Sequence, residues 1–275
     1  MMRQLSLICL LLVSLACQAA GEARRIVSLA PNFTELVYAV GGEKRLVGTV
    51  SYSDYPPAAR QLPRVGDALR LDLERLLALR PDLILVWRSG TPPAVQQQLR
   101  ELGLPLWVRE ADSLDSIARL LEELGGLTGQ EDNGRRQAAK FRQGLAALRQ
   151  RYAGRRPVRL FYQISERPLM TVNHAHIIDE AIRLCGGGNI FSRLPGLTPT
   201  LSVEAVYLEQ PELLVLGEPD GRQRDPVWLD RRLLDVPVAV VPADLMHRAT
   251  PRMLQGIEQL CEAIDRVRLT ISRPQ

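Results

Sequence analysis

A repeated unit constrains this chain more than any other feature. Leu73 to Val86 reads Leu-Glu-Arg-Leu-Leu-Ala-Leu-Arg-Pro-Asp-Leu-Ile-Leu-Val: an amphipathic turn of helix, a proline-acid stop, then an apolar run. Val203 to Leu216 repeats the pattern, with Glu204 aligned on Glu74, Pro211 on Pro81 and Glu212 on Asp82. Proline ends each helix because it cannot continue the hydrogen-bond ladder. The apolar run that follows has the composition of a strand buried on both faces, as in a parallel sheet. Self-similarity of this kind marks a duplicated architecture.

The match extends on both sides. Leu104 to Val108 resembles Val236 to Val240, and each precedes an Ala-Asp pair, Ala111-Asp112 or Ala243-Asp244. Upstream, the helix ending at Gly41-Gly42 resembles the one ending at Gly186-Gly187, where glycine suits a left-handed C-cap. The spacing predicts strands at 26–30, 46–50, 83–87 and 106–108, separated by helices starting near 32, 73, 94 and 114. Alternation of this kind predicts an α/β fold: two Rossmann-like lobes with parallel sheets. Residues 131–153 contain no proline until the lobe beyond and are rich in Ala, Arg, Gln and Leu. They predict one long α-helix of roughly 30 Å joining the lobes, which makes a stiff connection. The expected divisions are 22–130 for the first lobe, 131–153 for the linker helix and 154–275 for the second lobe. Ligands of open α/β sheets bind beyond the carboxyl ends of the strands, so the expected site is the cleft between the lobes.

Residues 1–21 are expected to be a secretory signal peptide rather than part of the fold. A short basic start, Met1-Met2-Arg3, precedes an apolar run over Leu5–Leu15 and then small residues at Ala16, Ala19, Ala20 and Gly21. The run is too short to span a bilayer. Cleavage after Ala19, Ala20 or Gly21 places the mature chain in the periplasm; a lipid anchor on Cys17 is the alternative. Only Cys185 and Cys261 then remain beyond the leader. An even number in an oxidising compartment is expected to pair, and closing so long a loop contributes about 4 kcal/mol by chain entropy. Two separate buried thiols are the other reading.

Composition narrows the partners. Apolar residues make up 46% and charged residues 24% of the 275, which predicts packed cores. The net charge of +4 is modest and mixed in sign, so no nucleic-acid partner is expected. No nucleophile elbow, phosphate loop or His-Glu-x-x-His pattern occurs, so neither a catalytic residue nor a resident cofactor is expected. His174 and His176 stand close together, but no further ligands accompany them, and they are taken as solvated loop residues rather than a metal site.

Aromatic and charged residues at strand ends carry the binding expectation. Tyr52 lies in Ser51-Tyr52-Ser53-Asp54-Tyr55-Pro56-Pro57, directly after a strand, and Trp87 closes another. Their faces suit a flat conjugated ligand; the plainer reading is that either covers a core edge. Asp244 and Arg248 follow a strand in the second lobe and are expected at the mouth of the cleft, with a local capping pair as the alternative. Glu74 and Glu204 start matched helices, where a carboxylate is favoured by the dipole alone. Two lobes related by pseudo-symmetry would also present them as a matched pair to a symmetric partner.

Those same stretches, Ser51–Pro57, the Leu73–Arg88 block, Leu184-Cys185-Gly186-Gly187 and Asp244–Arg252, resemble the periplasmic cobalamin-binding proteins. These belong to the rigid-helix class III solute receptors of ABC importers, a class that includes haem and ferric-siderophore receptors. The resemblance covers nearly all of the mature chain. It implies a monomer that holds cobalamin (vitamin B12) or another corrinoid between the lobes, touched by Tyr52 and Trp87 from one side and Asp244 and Arg248 from the other. It implies that Glu74 and Glu204 dock on a membrane permease dimer, and that Cys185 pairs with Cys261. Haem or a ferric siderophore is the alternative ligand, with Tyr52 or His247 as axial candidates. The sequence departs from the family's pattern at Asp67–Arg70, where a tryptophan is missing, and near Ile164 and Pro195–Thr198, where second-lobe aromatics are missing.

Overall fold

The computed structural model describes residues 22–67, 70–219 and 221–271. The signal-peptide reading of 1–21 and the lipid-anchor alternative at Cys17 lie outside these residues.

In the first lobe β1 (Ile26–Ser28), α1 (Pro31–Ala39), β2 (Leu46–Thr49), α2 (Leu73–Ala78), β3 (Leu83–Trp87), α3 (Pro93–Glu101), β4 (Leu106–Arg109) and α4 (Leu114–Thr128) follow in order. All strand pairs are parallel, in the order β2-β1-β3-β4. The strand β1 is shorter than the apolar run predicts. Ala30 is already the extended N-cap of α1, and Pro31 occupies the first helical turn, where its missing N–H costs nothing.

The linker is α5 (Glu131–Tyr152), 22 residues long. The second lobe then runs β5 (Val158–Gln163), a small β6–β7 hairpin (Ser165–Glu166 with Leu169–Met170), α6 (Ile177–Leu184), β8 (Gly187–Asn189), α7 (Val203–Glu209), β9 (Leu213–Glu218), β10 (Val238–Pro242), α8 (Ala243–Met246) and α9 (Met253–Ile271). Its parallel sheet has the order β10-β9-β5-β8. Read from the other edge, this is the topology of the first lobe, with β8, β5, β9 and β10 in the places of β2, β1, β3 and β4. The glycine match holds as well: Gly41 and Gly186 both end a helix with positive φ, 81° and 70°, where a side chain would be strained.

The repeat also fixes which way each strand residue faces. Ile84, Leu85 and Val86 are all fully buried, as are Leu214, Val215 and Leu216. Leu85 and its counterpart Val215 enter one core shared with the linker, whereas Ile84 and Leu214 enter separate outer cores. Burying each such side chain contributes about 1.5–3 kcal/mol. Ala138, Phe141, Leu145, Leu148 and Tyr152 form the buried stripe of α5 at helical spacing. That stripe belongs to the core that reaches both sheets, so the two lobes share one apolar interior along the linker.

Cys185, the C-cap of α6, is bonded to Cys261 of α9, with Cα atoms 4.7 Å apart. The reading as two separate thiols is thereby excluded. No helix among the described residues is long and apolar enough to cross a membrane.

A candidate ligand cleft between the lobes

The carboxyl ends of both sheets border a cleft of about 600 Å³. Its volume falls within the usual 300–1,000 Å³ of small-molecule sites. The first lobe contributes Asn32, Tyr52, Trp87 and Glu110, and the second Ile164, His176, Leu197, Met246, His247 and Arg248.

Tyr52 is displayed rather than packed. It follows β2 at φ 65°, a conformation rare for a non-glycine residue, and is 79% exposed. The turn is held from beneath: Ser51 N–H donates to Gly66 O at 2.8 Å, and the buried hydroxyls of Thr34, Thr49 and Ser53 bond one another. A strained backbone held by surrounding bonds is a common feature of functional sites. The reading of Tyr52 as cover for a core edge fails on its exposure.

Trp87 ends β3 with its indole N–H donating to Glu110 Oε1 at 2.6 Å. The other oxygen of Glu110 accepts the backbone N–H of Ser89 at 2.9 Å. Gly90 lies under the ring; a Cβ there would stand 1.9 Å from Trp87 Cε3. The ring is thus held by Glu110 at its N–H and by the close approach of Gly90, and it lines the cleft.

Arg248 bridges the two lobes. One guanidinium nitrogen meets Asp54 at 2.7 Å, and the other meets Asp244 at 3.0 Å, one helical turn away. The arginine lies on the cleft wall, and Asp244, about half exposed, pairs with it there. The local pair and the cleft position therefore coexist for Arg248. Bonding to Arg248 holds the Asp54 carboxyl below its ordinary range, against burial, which pushes it up.

Of the two histidines read as solvated loop residues, His176 departs from that reading and His174 does not. His174 is exposed, but His176 is on the cleft wall and caps α6, its Nδ1 accepting Ile178 N–H at 3.1 Å. Burial pushes His176 down to about 4, against the charges of Glu110 and Asp179. His247 sits over Gly217 with Nε2 3.1 Å from the hydroxyl of buried Tyr162, and burial takes it down to about 4 as well. Among the described residues no group of three or more His, Cys, Asp or Glu side chains is placed to hold a metal ion.

The second-lobe wall has aliphatic side chains at the positions where aromatics are missing from the sequence: Ile164 and Leu197 both line the cleft. Glu110 and Asp54 were not singled out from sequence, although both lie just beyond strand ends. Glu110 directly follows β4, but its counterpart in the repeat is Pro242, so the repeat gives no signal for it.

Glu74 and Glu204 are not among the residues that line the cleft. Both are exposed, in the first turns of α2 and α7, which are N-capped by Asp72 and Ser202 respectively. Each helix runs back toward the amino end of its following strand, so both helix starts lie on the cleft side of their sheets. The backbone and the Ser202 hydroxyl hold the Glu204 carboxyl below its ordinary range.

Comparison with known proteins agrees with this geometry. Vitamin B12-binding protein of Yersinia pestis (strain Pestoides F) is 39% identical over 257 residues, 92% of this chain and 90% of that one. The crystal structure of the periplasmic vitamin B12 binding protein BtuF of Vibrio cholerae superposes with a TM-score of 0.81 at 37% identity, covering 89% of this chain and 98% of that one. The periplasmic heme-binding protein RhuT from Roseiflexus sp. RS-1 gives 0.72 at 26% identity, covering 90% and 100%. The family model described as periplasmic binding protein matches residues 26–227, from the first strand of one lobe to beyond the third sheet strand of the other. The chain belongs to the periplasmic binding protein family.

Proposed function

We propose that this chain is an exported receptor that holds cobalamin or a close corrinoid between its lobes and delivers it to an ATP-driven importer. The observation that carries the reading is the cleft itself. A wide, mostly apolar space between two lobes has Tyr52 and Trp87 on one side and Arg248 on the other, in a chain 37–39% identical to vitamin B12-binding proteins. Aromatic faces supply contact area to a flat macrocycle, and a few placed polar groups set its orientation. On this reading Asp244 acts by orienting Arg248. The function requires no catalytic residue, resident cofactor or nucleic acid, and the protein acts as a monomer.

The proposed organisation is a leader at 1–21, lobes at 22–130 and 154–275, and the linker at 131–153, with the mature protein in the periplasm. Haem is the second reading, favoured by the 26% identical heme-binding relative. An axial ligand would come from Tyr52 or His247, and Nε2 of His247 is already engaged with Tyr162.

Calorimetric titration of the mature protein with cyanocobalamin, cobinamide and haemin tests the choice. Saturable one-to-one corrinoid binding is expected. Haemin binding in its absence would transfer the receptor role to the second ligand.

Glu74 and Glu204 are proposed as docking carboxylates, because they are exposed at equivalent points of two pseudo-symmetric lobes. Such a pair matches basic groups on the two halves of a permease dimer. The double variant Glu74→Ala, Glu204→Ala is expected to keep ligand affinity within twofold and to abolish most uptake. Normal uptake would remove the docking role.

A further inference from the structure

His176 offers the cleft one polar group whose orientation the fold has already decided. Its Nδ1 accepts the backbone N–H of Ile178, as the N-cap of α6. A ring nitrogen that accepts carries no proton, so in the neutral imidazole the proton sits on Nε2. Burial, against the charges of Glu110 and Asp179, pushes the ring down to about 4 and keeps it neutral near pH 7. The cleft it lines is mostly apolar, with Ile164, Ile177, Leu197 and Met246 on the second-lobe side beside the polar His247 and Arg248. Glu110, whose charge acts on His176, already accepts the indole N–H of Trp87 and the N–H of Ser89.

We infer that His176 is a specificity-determining donor, whose Nε2–H pairs with a neutral carbonyl oxygen, such as that of a primary-amide side chain, on the rim of the bound ligand. The inference deepens the corrinoid reading and rests on it. A donor in an apolar wall is left unpaired by a ligand that lacks an acceptor there, which makes it a strong discriminator. The Glu110 carboxylate nearby sets the sign of the acceptor. An anionic ligand group would be repelled and desolvated together, whereas an amide carbonyl is not. Corrinoid rims carry amides and haem carries carboxylates, so His176 selects the former. It also compensates on the second-lobe wall for aromatic area that Ile164 and Leu197 do not supply.

His176→Asn separates the donor from the cap, because asparagine is itself a favoured N-cap but is too short to extend a donor into the cleft. The variant is expected to keep the wild-type urea midpoint, to bind cyanocobalamin about tenfold more weakly, and to bind haemin no more weakly than the wild type. In ¹⁵N spectra of the wild-type protein the His176 ring is expected as the Nε2–H tautomer. Its Nε2–H resonance should shift and exchange more slowly with water when cyanocobalamin is added. Cyanocobalamin affinity within twofold of wild type in His176→Asn would overturn the inference. So would a weakened affinity without any change at Nε2–H in the wild type, which would make His176 only a structural cap. A wild-type protein that binds no corrinoid overturns the parent reading instead, and this inference falls with it.

Discussion

Acidification from pH 6.5 to 4 is expected to destabilise the folded protein steeply, before most carboxylates titrate. His176 and His247 are both pushed from 6.5 down to about 4, chiefly by burial, with His176 also acting on His247. Between those values the unfolded chain binds two protons that the folded chain does not. Stability therefore rises with pH across this window and is independent of both groups above about pH 7. Each shift corresponds to about 3 kcal/mol when the window has been crossed completely. Glu110 and Asp179 oppose the effect at His176, and the Tyr162 hydroxyl faces His247. Depressed carboxylates such as Asp230, at about 2, contribute in the same direction only at lower pH. Urea unfolding at pH 7.5, 6.5, 5.5 and 4.5 measures this. The double variant His176→Asn, His247→Gln should flatten the curve over that range; an equal slope in both proteins would refute the assignment to these histidines.

Arg252→Ala is expected to cost about 3–5 kcal/mol, although the residue is not one of those lining the cleft. Its guanidinium grips Glu35 with two bonds of 2.8 and 2.7 Å, and the two side chains are 17% and 4% exposed. The bond to Glu35 raises the Arg252 pKa, and the guanidinium also lies 3.6 Å from the centre of the Tyr55 ring. Glu35 is on α1 of the first lobe and Arg252 immediately precedes α9 of the second. The pair is thus a buried tie between lobes. Removing the arginine strands a carboxylate in the interior, which costs far more than the pair contributes as a whole. Replacing both residues by methionine should recover most of the loss, because no charge is then left without a partner. A loss below 1 kcal/mol for Arg252→Ala in urea unfolding would show that water reaches Glu35 and that the tie is of the weak, solvated kind.

Both predictions rest on residues that had little meaning in the linear chain. His176 follows Asn173-His174-Ala175, which reads as a solvated loop; its place on the cleft wall appears only in the folded protein. Glu35 lies within the apolar helix Pro31–Ala39 and is paired 217 positions away. By contrast, Tyr52 and Trp87 were legible because each follows or closes a predicted strand, and strand ends of a parallel sheet point at the site. Asp244 also lies just beyond a strand end, where it pairs with Arg248 of the cleft wall.

Local pattern alone determined the two-lobe α/β plan. Proline stops, glycine caps and apolar runs act within a few residues, and their repetition at Leu73–Val86 and Val203–Leu216 specifies the same topology twice. The pairing of Cys185 with Cys261 was expected from two remaining cysteines in an oxidising compartment. The Glu35–Arg252 tie, the Arg248 bridge to Asp54 and the partial burial of the cleft histidines were decided by tertiary structure. Each depends on distance and desolvation between segments far apart in the chain, and neither quantity is a property of sequence spacing.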